Sequence, residues 1–263
     1  MNRLAQRVTA APILLAALVS GPMNAQAQAP VAAPANVEAC KACHGPAGVS
    51  VNPAVPNLAG QKPAYLEAQL QAFHSTARKH DLMNVIAGQL GDSDIHQLAA
   101  YWASLPASPA AAAPGQPAAS AAIHSRMTFP ANFPAGFTAY QTVVEDRVLT
   151  RRYANAAAWK AAHAGQRLSD GSVILQVTYK AEKDAAGRDV AGAAQSYTGM
   201  EARAGWGADI PTLLRNENWD YALFAADGRR RDELNQAQCL ACHKPLAADG
   251  YVFTLKQLRA AAK

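Results

Sequence analysis

All four cysteines of the 263-residue chain fall in two copies of one pattern, Cys40-Lys41-Ala42-Cys43-His44 and Cys239-Leu240-Ala241-Cys242-His243. The spacing suits one chemistry well. Two thiols three positions apart each add to a vinyl group on one edge of a porphyrin, and the adjacent histidine is then held under the ring as the proximal iron ligand. Cysteine pairs have other uses. In an oxidising compartment the default is two disulfides, four thiolates hold a tetrahedral zinc ion, and a lone C-x-x-C serves as a redox dithiol. None of these needs a histidine directly after each pair, and nothing thioredoxin-like surrounds either copy. The pattern therefore predicts two covalently bound c-type haems, one on Cys40, Cys43 and His44, the other on Cys239, Cys242 and His243.

A haem iron has a second face to fill. Met83 lies 39 residues after His44 and is the only methionine between residues 28 and 105. Its thioether opposite His44 gives a His/Met iron, which favours the reduced state and raises the potential. A lone methionine is more often core filling, and His80 and His74 are competing ligands, but Met83 is the domain's only methionine and a haem needs its second face filled, so Met83 is the expected sixth ligand.

Helices must carry these groups in the first half. One is expected to start near Asn36 and to hold the first motif, with a Pro-rich loop, residues 52–58, after it. A second is expected from Pro63 to about Phe73, where Tyr65, Leu66, Gln69, Leu70 and Phe73 recur at helical spacing. Met83 is expected in an irregular stretch. The last helix is expected to begin at Asp92 or Ser93 and to align Ile95, Leu98, Ala99, Trp102 and Leu105 on one face. Residues 106–122 are a Pro/Ala/Ser run that cannot bury a core and read as a linker.

Beyond the linker the composition turns aromatic, charged and β-like. Strands are expected near 137–147, 172–180, 196–203 and 219–226, with a short helix over 154–164. Over 172–180 the alternation is clean: Val173, Leu175, Val177 and Tyr179 share one face, and Ile174, Gln176, Thr178 and Lys180 the other. A final helix is expected to be capped by Thr254. The expected organisation is a 28–105 haem domain, a 106–122 linker and a 123–263 haem domain. The fold class is an all-α unit followed by an α+β, mainly antiparallel β, unit.

Residues 1–27 read as a signal peptide: Arg3 and Arg7, a short apolar run from Ala11 to Ser20, then a small-x-small cleavage site ending at Ala27. The run is too short to span a bilayer, so no stable membrane span is expected after processing, and the expected compartment is the periplasm. Formal net charge is +5, and about +3 once Arg3 and Arg7 are removed. That mild balance, with no polybasic block, excludes nucleic acid as an expected partner.

The segments CKACHG, PNLAGQKPAYLEAQLQAF, DLMNVIAGQL and SDIHQLAAYWASLP resemble a short bacterial class I cytochrome c. The resemblance implies an all-α fold around a six-coordinate haem used for electron transfer with redox protein partners. It also implies that a carbonyl near Pro56 accepts from the His44 imidazole. The second half cannot repeat that fold, since only 20 residues follow His243 and none is methionine. A four-helix cytochrome c-prime also carries a late motif, but the strand signals argue against it. AAAWKAAHAGQRLSDGSVIL, NENWDYALFAADG and CLACHKPLAADGYVFT instead resemble the cytochrome P-460 and cytochrome c-prime-beta family. That resemblance implies a β-rich fold, His243 as proximal ligand and an open or weakly filled distal site.

One departure matters. Enzymes of the P-460 type carry a lysine cross-linked to the porphyrin, and this chain has Gln176 at the matching position. Lys180 lies about 13 Å further along the strand. An uncross-linked haem that binds small ligands such as nitric oxide is the expectation. Glu201 is a candidate distal carboxylate able to move protons, or simply a solvent-facing strand residue. The competing expectations are an enzyme oxidising hydroxylamine, or handling nitric oxide or peroxide, with the first haem as acceptor, and a plain two-haem electron wire.

Overall fold

A computed structural model describes residues 31–107 and 122–263. The expected signal peptide and most of the expected linker lie outside the described residues. The first half is helical: α1 (Val37–His44), α2 (Pro63–His74), α3 (Asp81–Ala87) and α4 (Asp92–Ser104). Pro63 opens α2, where a missing N–H costs nothing. At the start of α4 the Asp94 carboxylate accepts the Gly91 N–H at 3.0 Å. Ile95, Leu98, Ala99 and Trp102 are buried on its inner face with Leu66 of α2. Met83 sits in the helix α3, not in an irregular stretch. That helix is held by a reciprocal cap: His80 Nδ1 accepts the Met83 N–H at 3.3 Å, and Asn84 Oδ1 accepts the His80 N–H at 2.7 Å.

The second half is an antiparallel meander in the order β1 (Phe137–Glu145), β2 (Val148–Asn155), β3 (Val173–Lys183), β4 (Asp189–Ala202) and β5 (Trp219–Ala225). Helix α5 (Ala156–His163) follows β2, while α6 (Ala237–His243), a 3-10 turn (Lys244–Asp249) and α7 (Leu255–Ala261) follow β5. Thr254 precedes α7, but its hydroxyl bonds Tyr140 at 2.7 Å and caps nothing.

The sheet is covered on both faces. Ala154, Ile174, Met200 and Tyr221 form a cross-strand row packed with Leu240 of α6 and Leu258 of α7. On the other face Leu175, Ala222 and Phe224 pack under Met127. Phe129 and Phe133 close that side through edge-to-face contacts with Tyr197 and Tyr153. Two-sided cover explains why both Val173 and Ile174 are buried although they point apart. A single apolar cluster runs from α1–α4 into the helical side of the sheet, and Val31–Lys263 is accordingly one contact unit. Among the described residues no helix is long and apolar enough to cross a membrane.

Candidate haem sites

Each motif occupies a short helix that ends on its histidine, so the histidine can swing from the helix end. Gly45 follows His44 at φ 85°, and a Cβ there would lie 2.2 Å from the Val49 carbonyl oxygen, so only glycine allows this turn. Gly48, at φ 73°, lets the chain pass against the Trp102 ring, 2.7 Å from where its Cβ would stand. The loop so folded presents the Pro56 carbonyl to His44 Nδ1 at 2.7 Å, as the resemblance implies. At the second motif the same role falls to the Tyr251 carbonyl, 2.7 Å from His243 Nδ1. Two successive left-handed residues, Gly250 at φ 62° and Tyr251 at φ 66°, shape the turn that delivers it.

The shared geometry has a chemical consequence. Nδ1–H donating to a carbonyl fixes the tautomer, orients the ring and leaves Nε2 as the lone-pair nitrogen an iron requires. Burial lowers the pKa of both histidines, opposed by these carbonyls, and so favours the neutral imidazole. Burial also raises the thiols of Cys43 and Cys239, and pushes Cys40 up to about 12 despite the neighbouring Trp102 indole. Among the described residues the cysteines form no disulfide, and no cluster of three or more His, Cys, Asp or Glu could hold a bare metal ion.

The surroundings also fit porphyrin. The His243 ring stands 4.4 Å from Tyr221 and 4.8 Å, edge-on, from Phe253. Phe253 is 58% exposed and Cys242 is exposed too, an apolar face that a macrocycle would cover. Tyr221 is fixed from behind: Asn216, fully buried, donates from Nδ2 to its hydroxyl at 3.1 Å and to the Leu240 carbonyl at 2.8 Å. Met83 is half-buried on α3, and His74 bonds the Ala87 carbonyl through Nδ1 at 2.9 Å.

Gln176 lies on the same sheet face as Tyr221, one cross-strand row away, opposite Arg152 and Thr198. Its amide oxygen accepts from Arg152 Nε at 2.9 Å, and Arg152 Nη1 reaches Gln141 at 3.0 Å. Lys180 is exposed beyond a register shift and pairs with Val148. Glu201 requires a correction on both counts. It is buried rather than solvent-facing, and register puts it beside Val173 and Asp220, on the face turned away from Tyr221 and His243. There it pairs with Arg203 at 2.6 Å. The sequence alone did not reveal Tyr251, Tyr221, Asn216, Phe253 or Arg152, although the first four stand inside the NENWDY and YVFT segments.

Residues 29–106 match the family model described as cytochrome c, and residues 130–254 match that described as cytochrome P460. Cytochrome c-554(548) of Halomonas halodenitrificans is 43% identical over 68 residues, 25% of this chain and 82% of that protein. Cytochrome c4 of Thiocapsa roseopersicina is 45% identical over 75 residues, 28% of this chain and 38% of that protein. A Stutzerimonas stutzeri protein named thiosulfate dehydrogenase electron acceptor is 44% identical over 73 residues, 27% of this chain and 34% of that protein. The chain thus spans only about a third of the length of the last two, and each likeness is about as long as the first domain.

Proposed function

The chain is a haem cytochrome of electron transfer, belonging to the cytochrome c family over residues 29–106 and to the cytochrome P460 family over residues 130–254, and on that footing we propose that it is an exported, periplasmic protein carrying two c-type haems with divided tasks. The first, on Cys40, Cys43 and His44 with Met83 as sixth ligand, exchanges electrons with redox protein partners. The second, on Cys239, Cys242 and His243, binds a small ligand such as nitric oxide. The observation that carries this reading is the repeated histidine geometry, Nδ1 on a carbonyl at 2.7 Å at both motifs. It supports a second proximal ligand as directly as the first.

Bound haem supplies an iron that changes oxidation state by one electron and, where an axial position stays open, holds a diatomic ligand. The chain's residues do the rest. The Pro56 and Tyr251 carbonyls hold the imidazoles in one tautomer. Tyr221 and Phe253 confine the His243 ring, and Asn216 locks Tyr221. Gln176 carries an amide, which cannot form an amine cross-link, and Arg152 already engages it. This supports an unmodified haem and therefore ligand binding over hydroxylamine oxidation. The name of the Stutzerimonas relative supports an electron-accepting role for the first domain.

The test is the visible spectrum of the reduced full chain with and without carbon monoxide. An ordinary c-haem Soret band of which one component shifts on carbon monoxide is expected. A strongly red-shifted band would show a cross-linked haem and bring the enzyme reading forward. A band that does not move at all would leave the electron wire.

A further inference from the structure

The Met83 helix and the second attachment motif meet in space. Helix α3, which carries Met83, packs against α6, which carries Cys239 and Cys242. Among the described residues two hydrogen bonds cross beside this contact. Asn235 Nδ2 donates to the carbonyl of Ala42, which lies between the two cysteines of the first motif. Gln89 Nε2 donates to the Leu213 carbonyl at 3.1 Å. Both anchors are rooted in the second motif. Asn235 Oδ1 accepts the N–H of Ala237, the first residue of α6, at 3.0 Å. Lys244, next to His243, donates to the carbonyls of Thr212 and Arg215 at 3.1 and 2.6 Å and so holds the loop that receives Gln89. Ile86 and Leu90 from the first domain share one buried cluster with Leu213, Leu214 and Leu240 from the second. The docking rests on this apolar seal and its two polar pins.

We propose that the second domain is the first domain's resident redox partner, docked so that electrons pass directly between the haems across the α3–α6 contact. Helices packed in this way run about 8–10 Å apart, so haems carried by Cys40 and Cys43 and by Cys239 and Cys242 would need no diffusional encounter. With both haems bound, one iron would pass from Fe(II) to Fe(III) as the other passes from Fe(III) to Fe(II), and no atom or proton would move. The inference rests on the two-haem reading.

The experiment uses the full chain loaded with haem, photoreduced in part, with the absorbance followed as electrons redistribute. The redistribution rate is expected to be independent of protein concentration through a dilution series. Val85 and Gln89 line the same crevice as Lys244, so Val85→Lys places like charges across it. Combined with Gln89→Ala it is expected to slow redistribution by about tenfold or more and to enlarge the radius of gyration in solution scattering, with each haem's own spectrum unchanged. A native rate proportional to protein concentration, or a variant rate equal to the native one, would overturn the proposal. Should the variant not fold, the native dilution series decides alone. A chain whose mass shows a single haem would overturn the two-haem reading, and this inference with it.

Discussion

The two histidines use one device in two settings. His44 is 7% exposed inside a purely helical unit, and its carbonyl partner comes from a Pro-rich loop. His243 is half-buried at the edge of a sheet, between an aromatic ring the core has fixed and one that stands 58% exposed. The hydrogen bond that makes an imidazole a ligand is therefore local and transferable. What differs is everything beyond Nε2. The first setting offers a thioether on a capped helix; the second offers aromatic walls and a polar Arg152–Gln176 pair. The same motif thus stands in two different surroundings, because the fold, not the motif, decides what faces each histidine.

The comparison breaks most completely if the motifs are not equivalent in attachment. Replacing Cys40 and Cys43 by alanine, or Cys239 and Cys242, is expected to remove one covalent haem from the intact mass in either case. If either pair can be removed without loss, the equivalence fails. Next in size is Met83→Ala. It is expected to lower the first haem's potential by on the order of 0.1 V and to let carbon monoxide bind there, erasing the functional difference between the sites; an unchanged potential and spectrum would eliminate Met83 as ligand. His80→Ala sharpens the same point. Loss of the α3 cap should cost about 1 kcal/mol in thermal or denaturant unfolding, whereas a large spectral change would make His80 the ligand. The smallest effect is expected from Tyr221→Phe. It deletes the hydroxyl that accepts from Asn216, costs about 1 kcal/mol or less, and leaves carbon monoxide binding at the second haem intact. A loss of that binding would give the tyrosine hydroxyl a role the aromatic wall alone does not have.

Much of this was legible from residue order. The motifs named the expected attachment residues and the structure ends a short helix on each of their histidines, 3.6-residue spacing located α2 and α4, and period two located β3. The misses have physical causes. Strand β2 was hidden because Arg151 and Arg152 interrupt its apolar pattern; Arg152 is accommodated by amide partners that only the sheet brings near. Helix α3 is seven residues long and depends on a histidine cap, an uncommon choice, so periodicity had little to act on. Glu201 shows the limit of alternation. Alternation separates two faces, but which face meets a cofactor depends on cross-strand register, and here Met200 and Tyr221 take the helical side. The Tyr251 carbonyl could not be read at all, because a backbone acceptor leaves no mark in side-chain identity beyond the glycine that precedes it.

The carbonyl partners also set an order of assembly. A chain that emerges N-terminus first presents the first motif before any of the parts that complete its site: the Pro56 loop, α3 and α4 all follow it. The second motif appears only after all five strands, and eight residues more are needed before the Tyr251 carbonyl exists. The first motif is therefore complete as sequence before its site can be folded, while at the second the sheet can already be formed. On the two-haem reading proposed above, attachment would meet an unfolded peptide in one case and the margin of a nearly finished domain in the other.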